Sequence, residues 1–413
     1  MERTNVQRAG GSMSVTRSSE RQYDRRLVGW LSLAQLITWG SVFYTFSLLM
    51  EPVERELGLT RAQSSLAFSL ALLAEGALGY PVGRWIDQGH ERAVMTGGSL
   101  LVAACLALHS AVHSVAAFYL VWTGLGAALA ATLYNPVFAV VTRRFPHDFR
   151  RAIITLTFLG GLASTVFIPL SAWLIQSLGW RQALWVLAAL QLLVCVPLHA
   201  VLLRGAPRAP AAVATARASA SPALYLRSAP FLLIGVFVVC MMGVTAALPP
   251  HMISLLRGNG LAEAWVIAIP ASIGVLQVLG RLLLYFFEHH FDLHLANRLI
   301  PMLIPLGLAA LLAGAGHPGA ALLFVLFYGL GNGMLTIVKG TAIAQYVNRE
   351  HVASLNGALG LPSALARAVA PLLLGLLWSQ QAGYSRGLWL LLAMSVLSVL
   401  ALLVAQRKSL AAA

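Results

Sequence analysis

The chain has 413 residues, of which 59% are apolar and only 10% charged, and its mean hydropathy is +0.78. Soluble domains are about 45–50% apolar and about 25% charged, and one water-soluble core cannot hide this much apolar area, because surface grows too fast with mass. A soluble enzyme, a disordered regulator and a secreted disulfide scaffold are therefore excluded, and a polytopic membrane protein remains. The formal charge is +14, but the basic residues are scattered between apolar runs rather than gathered into a patch, which argues against nucleic acid as a partner.

Residues 1–26 are polar and Arg-rich, and the apolar run after them is too long for a signal-peptide core, so no cleavable leader is expected. A membrane-spanning helix needs about 20 apolar residues. Twelve such runs follow in order, at 27–50, 62–84, 93–112, 115–142, 152–176, 183–203, 229–249, 264–287, 299–316, 320–346, 352–377 and 386–406. They are too long for barrel strands and lack a period of two. Cys105, Cys195 and Cys240 lie inside these runs without metal-ligand or disulfide spacing, and read as small core residues.

The cations choose an orientation. Twenty of the 28 Lys and Arg fall in segments that share a side with the N-terminus, five fall opposite, and Arg281, Lys339 and Arg367 lie within spans. The positive-inside bias places both termini in the cytoplasm and requires an even number of spans. The longest interruption, 204–228, is rich in Ala, Pro, Ser and Arg and reads as a linker. The expected organisation is a cytoplasmic tail (1–26), a six-helix bundle (27–203), a cytoplasmic linker (204–228), a second six-helix bundle (229–406) and a short tail (407–413).

The two halves repeat each other. Gly124-Leu125-Gly126 matches Gly329-Leu330-Gly331, and Arg144 matches Arg349 at the same offset. The stretch from Gly179 to Trp185 matches Gly383 to Trp389, and Gly83-Arg84 matches Gly280-Arg281. Parallel repeats of six helices place a solute site between the halves, near the bilayer midplane.

With these features the chain resembles the major facilitator superfamily over nearly its whole length. The loop between the second and third helices of that family reads G-x-x-x-D-R-x-G-x-R. Here Gly83, Asp87 and Arg92 hold their places, the second Gly comes one residue early as Gly89, and Gln88 replaces the inner Arg. The resemblance implies that Gly83, Asp87 and Arg92 form a conformational gate that locks the cytoplasmic side of the outward-facing state. Tyr44-Thr45-Phe46-Ser47 and the run from Glu54 to Arg61 resemble the bacterial monocarboxylate and oxalate–formate porter branch. The G-P-x-x-G-G run of drug–proton antiporters is missing from the fifth helix, which reads Gly160 to Pro169.

Charges inside a bilayer cost about 2.5–3.5 kcal/mol each on insertion scales, so they point to a partner or a wet cavity. Glu75 sits midway along the second helix, about 18 Å from Asp87. A carboxyl withdrawn from water holds its proton more tightly, which makes Glu75 the candidate proton carrier; a structural carboxylate is the alternative. Lys339 is one of only two lysines and lies too deep to snorkel. Arg367 sits between Pro362 and Pro371, and a guanidinium grips a carboxylate with two hydrogen bonds. Substrate contact and structural pairing both stay open for these two. Arg281 resembles the eighth-helix Arg that contacts the substrate carboxylate in the monocarboxylate porters, although Gln277 stands where those porters often carry Asp. Its match to Arg84 offers a gate role instead.

Tyr44, Asn135 and Asn332 join the expected substrate site, with Gln35, Thr38, Trp39 and Tyr134 as further polar or aromatic candidates. Gly329, Gly331 and Gly333 are expected to allow close helix packing. His289, His290 and His294, with Glu288 and Asp292, read as a solvated loop rather than a metal site. Lys339-Gly340-Thr341 lacks the glycine-rich loop of a Walker A sequence, and no catalytic triad or zinc-protease pattern is present. The expectation is thus an all-α membrane protein of twelve helices in two pseudo-symmetric bundles, with no enzyme chemistry, cofactor or metal. It is expected to act as a monomer in the bacterial cytoplasmic (inner) membrane and to transport a small solute by alternating access. Three cations against one carboxylate favour an organic anion, with proton coupling through Glu75. Export of a drug-like or metabolite solute and a non-transporting membrane sensor are the other readings.

Overall fold

The structure, a computed structural model, describes residues 25–145, 149–205, 223–287, 293–314, 316–348 and 352–411. Nearly all of the expected tail 1–26, most of the linker 204–228 and the histidine loop except His294 lie outside the described residues.

Eleven continuous helical stretches are long and apolar enough to cross a membrane. One of them, Arg61–Ser110, has 50 residues, which at about 1.5 Å per residue is more than twice the hydrocarbon thickness. It folds back at Gly89, whose φ of +92° is a conformation that glycine adopts without a Cβ clash. That stretch is two passes, and the twelve expected helices are present. We label them α1 (Arg25–Leu57), α2 (Arg61–Trp85), α3 (Glu91–Ser110), α4 (Val115–Arg144), α5 (Ala152–Leu178), α6 (Trp180–Leu202), α7 (Ala229–Gly258), α8 (Glu263–Phe287), α9 (Leu293–Ala313), α10 (Pro318–Tyr346), α11 (Val352–Leu377) and α12 (Ser385–Ala411). Among the described residues the only β pairing is an isolated bridge between Ser379 and Gly383.

Local chemistry sets the helix ends. Gly58 takes the left-handed conformation that ends α1, and Thr60 forms a reciprocal capping box with Gln63 that starts α2. Ser114 and Ser228 cap α4 and α7 through their hydroxyls. α1 is longer than the sequence reading of 27–50, so Glu51, Glu54 and Glu56 lie on its last turns. Glu91, expected in a loop, sits in the first turn of α3 and is fully buried. Glu75 therefore stays the acid at mid-span, but it is not the only helical one.

Two kinks shape the centre. A π-turn over Trp39–Tyr44 breaks the regular α pattern of α1. α4 breaks at Leu133, just before Pro136, which has no N–H to give to the carbonyl of Thr132. The Gln35 side chain fills that gap by donating to Thr132 O at 2.5 Å.

The repeat is visible in packing. α4 lies on α2 and α3 as α10 lies on α8 and α9, and α3 meets α6 as α9 meets α12. Gly126 of α4 rests on the backbone of Ala71, and Gly333 of α10 rests on the backbone of Gln277. The structural mate of Gly126 is thus two residues further along than the sequence match with Gly331. Gly179 and Gly383 both have positive φ, before α6 and α12. Trp185 and Trp389 both present about 60% of their surface outward near the starts of those helices, as aromatic side chains do at a membrane interface. The halves meet along α2–α11, α5–α8 and α1–α7. Each half keeps its own apolar core, and Leu48, Ile168 and Ala172 of the first half join the core of the second.

Candidate functional site: a charged cavity between the halves

A cavity of about 310 Å³ lies between the two halves. Glu75, Arg281, Lys339, Arg367, Tyr44, Asn135 and Asn332 all line it. These seven residues come from α1, α2, α4, α8, α10 and α11, so only the packing of both halves assembles them. Glu75 and Arg367 sit near the middles of α2 and α11, about 15 Å from the C-terminal ends of their helices and somewhat over 20 Å from the N-terminal ends by the α-helical rise.

The charges are unevenly matched. Arg367 Nη2 stands 3.2 Å from Glu75 Oε2, an ion pair that crosses from one half to the other. Arg281 Nη1 donates to the carbonyl of Thr157 at 2.5 Å, a tie from α8 to α5. Lys339 Nζ donates to the Met242 sulfur at 3.0 Å, a weak acceptor. Neither Arg281 nor Lys339 has a carboxylate partner among the described residues. One carboxylate therefore faces three cations, and two cations keep an excess that a ligand could neutralise.

Around the charges the wall is aromatic. Trp39 packs against Phe43 and Tyr134 with centroids 5.0 and 5.2 Å apart, and Phe43 meets Tyr44 edge-on at 5.5 Å. Tyr328 also lines the cavity and donates to Thr245 O at 3.1 Å. Two polar candidates of α1 do not reach the cavity. Gln35 bonds to the broken turn of α4, and Thr38, fully buried, bonds to Gln191 of α6; both hold helices together. The sequence reading passed over Tyr328 and Thr336 and did not place Gln277 in the site. Tyr328, Asn332 and Thr336 recur every four residues on α10, ending near Lys339, and that polar stripe on an apolar helix was a usable signal.

The two ends of the molecule differ. At the end bearing Arg61, side chains of both halves interlock. Arg61 pairs with Glu54 at 3.1 Å, donates to the Tyr384 hydroxyl at 2.9 Å and lies over the Trp378 ring. Arg257 of α7 pairs with Glu51 of α1. His251 of α7 contacts Ser65 of α2. At the other end the hinge residues bond within the first half. Arg143 donates to Ile86 O, Arg144 pairs with the buried Glu91 at 2.5 Å, and Arg92 donates to Ala200 O at 2.7 Å. Gly83 has open space around it. Asp87 is exposed and has no hydrogen bond or ion pair among the described residues.

Fold and cavity together define a multi-pass membrane protein whose two repeated halves enclose a small polar site. A family model described as Major Facilitator Superfamily matches residues 31–291, more than half of the chain. The chain belongs to that superfamily, as the sequence resemblance indicated. It is 28% identical to an MFS-type efflux pump of Mycolicibacterium smegmatis (strain ATCC 700084 / mc(2)155) over 279 residues, which cover 65% of this chain and 64% of the relative. It is 35% identical to Monocarboxylate transporter 13 of Bos taurus over 123 residues, 29% of this chain and 28% of the relative. The match thus spans less than two thirds of either curated relative.

Among solved structures, a mutant of the nucleoside transporter NupG superposes with a TM-score of 0.72 at 17% identity, covering 93% of this chain and 99% of that one. A bacterial homologue of the human lysosomal transporter Spinster, in an inward-facing and occupied conformation, gives 0.72 at 15% identity, with 93% and 97% covered. At such identities the likeness is one of fold. Membership of the superfamily makes this a membrane protein of a transporter family rather than an enzyme.

Proposed function

We propose that the protein carries a small organic anion across the cytoplasmic membrane by alternating access, coupled to a proton. The observation that carries this reading is the Glu75–Arg367 ion pair, 3.2 Å across the two halves, in a cavity that also holds Arg281 and Lys339, neither with a carboxylate partner among the described residues. An incoming carboxylate competes with Glu75 for Arg367 and gains Lys339 from the same wall. Glu75, deprived of its cation in a poorly hydrated site, then takes up a proton. The loaded cavity carries no more charge than the empty one, so the halves rock without moving a bare charge through the membrane. Tyr44, Asn135 and Asn332 orient the solute, and Arg281 serves both as a cavity cation and as the tie to Thr157.

In this reading residues 27–203 and 229–406 are the rocking units, joined by the linker 204–228. Both termini, at 1–26 and 407–413, face the cytoplasm, and the protein works as a monomer. Asp87, with Gly83 and Arg92, gates the cytoplasmic face: it has no partner among the described residues in this conformation and finds one across the halves in the other. A second reading, export of a larger amphipathic or drug-like anion, draws on the aromatic wall of Trp39, Phe43, Tyr44 and Tyr134 and on the mycobacterial efflux relative.

The test is flux of labelled mono- and dicarboxylates in proteoliposomes, with and without a pH gradient, alongside amphipathic anions loaded on the cytoplasmic side. Arg367→Ala and Lys339→Ala should each weaken carboxylate binding at least about thirtyfold, the effect of truncating one partner of a desolvated charge pair, with normal folding. Glu75→Gln should lose pH-driven accumulation yet retain solute-for-solute exchange. Gradient-driven accumulation by Glu75→Gln, or wild-type binding by both cation variants, would reject the mechanism. Reporter fusions at Ala206 and at the C-terminus should both report cytoplasm; a result on the far side at either would overturn the orientation.

A further inference from the structure

His251 is fully buried toward the Arg61 end, its partner Pro371 lies one turn along α11 from Arg367, and every polar atom of its ring is engaged. Nε2 is 2.9 Å from the carbonyl of Pro371 on α11 and 3.3 Å from the Ser65 hydroxyl of α2; Nδ1 is 3.0 Å from the Tyr384 hydroxyl. A carbonyl only accepts, so Nε2 carries the hydrogen. Ser65 donates to Arg61 O at 2.6 Å and is left to accept the weaker share of that N–H. In a neutral ring Nδ1 is then an acceptor, and Tyr384 donates to it. The Tyr384 oxygen in turn accepts from Arg61 Nη1, and Arg61 is held by Glu54, itself bonded by Ser64. One directed chain therefore runs from α11 through α7 and Tyr384 to α2 and α1, and it crosses between the halves at Arg61 and at Ser65.

We propose that this chain is a proton-sensitive latch: a neutral His251 locks the two halves at the Arg61 end, and protonation of His251 releases them. A second N–H at Nδ1 would point at Tyr384, whose own hydrogen would lose its acceptor while its oxygen already takes Arg61. The imidazolium would also stand beside the Arg61 cation in a buried site. The charged groups that face it there are Arg61 from α2, with Glu54 and Glu51 behind it on α1. Glu54 is committed to Arg61 and Ser64, and Glu51 to Arg257 on the same helix as His251. α11 offers the Pro371 carbonyl and the Trp378 ring, and the segment before α12 offers Tyr384. No carboxylate lies within ion-pair distance of the ring among the described residues. A buried cation without a partner is costly, so the protonated ring fits only a latch that has opened to water. The closed latch persists at high pH and is lost as pH falls. This switch is separate from Glu75 and holds for any solute.

The experiment reads conformation rather than transport. Nitroxides on Arg55→Cys of α1 and Gln381→Cys before α12, both exposed at this end, are placed in a chain whose Cys105, Cys195 and Cys240 are replaced by Ala. Pulsed electron resonance then measures their separation at pH about 8 and about 5, either side of the ordinary histidine range. The unsubstituted latch should give a short distance at the higher pH and a longer one at the lower. In His251→Gln the amide can donate to Pro371 and accept from Tyr384 but cannot titrate, and the distance should stay short at both. His251→Arg should be long at both. Tyr384→Phe removes the hydroxyl that bridges His251 Nδ1 and Arg61 while leaving the imidazole and its bond to Pro371 in place, and should be long already at pH 8, so the test survives if the arginine variant does not fold. Lengthening of His251→Gln to the same extent as the parent, no lengthening of the parent, or a short distance in Tyr384→Phe at pH 8 would each overturn the latch.

Discussion

The two ends of this transporter use the same side-chain chemistry for opposite purposes. At the Asp87 end, Glu91 is completely buried and pairs with Arg144 at 2.5 Å and Arg143 at 3.8 Å, all within one half. At the Arg61 end, the Arg61–Tyr384 bond, the Arg257–Glu51 pair and the Ser65–His251 contact run from one half to the other. Ion pairs inside a rigid unit maintain that unit through every conformational state. Ion pairs between units belong to one state, and must break when the halves rock. On the proposed mechanism, the distribution of charge separates what stabilises the fold from what selects the conformation, and in the described state side chains of the two halves are joined at the Arg61 end.

Substitutions at each end test that division. The largest effect should come from Glu91→Gln. It leaves two arginines facing a buried neutral group, which costs about 3–5 kcal/mol, read as a fall in unfolding midpoint in detergent. The separation between the halves should stay as in the parent; a changed separation would show that the Asp87 end also selects the state. A smaller fold effect should follow Gly126→Ala, whose Cβ would strike the backbone of Ala71. Overpacking of this kind costs about 1–3 kcal/mol and should again leave the separation unaltered.

Arg61→Gln should change the separation as well as the fold. Its hydrogen bonds to Glu54 and Tyr384 involve a charged group and are each worth about 1.5–3 kcal/mol; loss of the Tyr384 bond should lengthen the separation at the Arg61 end, and loss of the Glu54 pair, which lies within the first half, should also lower the unfolding midpoint. Glu51→Gln should have the smallest effect. Its partner Arg257 is more than a third exposed and shared with Glu263, so less than about 1 kcal/mol is at stake, and the shift in separation should vanish in high salt. A Glu51 effect larger than that of Arg61 would mean that the rim, not the buried chain, holds the halves.

How much of this was readable in advance depends on the range of the interaction. The twelve spans followed from apolar runs, and the site charges from their rarity inside those runs: Glu75, Arg281, Lys339 and Arg367 were conspicuous because each costs free energy unless something offsets it. The capping box at Thr60 and the αL end at Gly58 are also local. Glu91 was misplaced because its burial depends on Arg143 and Arg144, some 50 residues away in sequence. Gln35 and Thr38 looked like candidates for the cavity, yet their partners Thr132 and Gln191 turn them toward neighbouring helices. Nothing in the neighbourhood of His251 suggested a role, since Ser65, Pro371 and Tyr384 come from three distant segments.

Sequence alone determined that the chain lives in a membrane, that it is built of many long apolar helices, and that its halves repeat. Those properties follow from composition, length and self-similarity, which need no knowledge of who touches whom. It also determined which residues were too polar to be passive. Tertiary structure decided that Glu75 faces Arg367, that Lys339 and Arg281 have no carboxylate partner among the described residues, and that the halves interlock at the Arg61 end. A buried charge or hydrogen-bonding group takes its meaning from the partner within about 3 Å, and in a bundle of long helices that partner is set by packing between segments hundreds of residues apart.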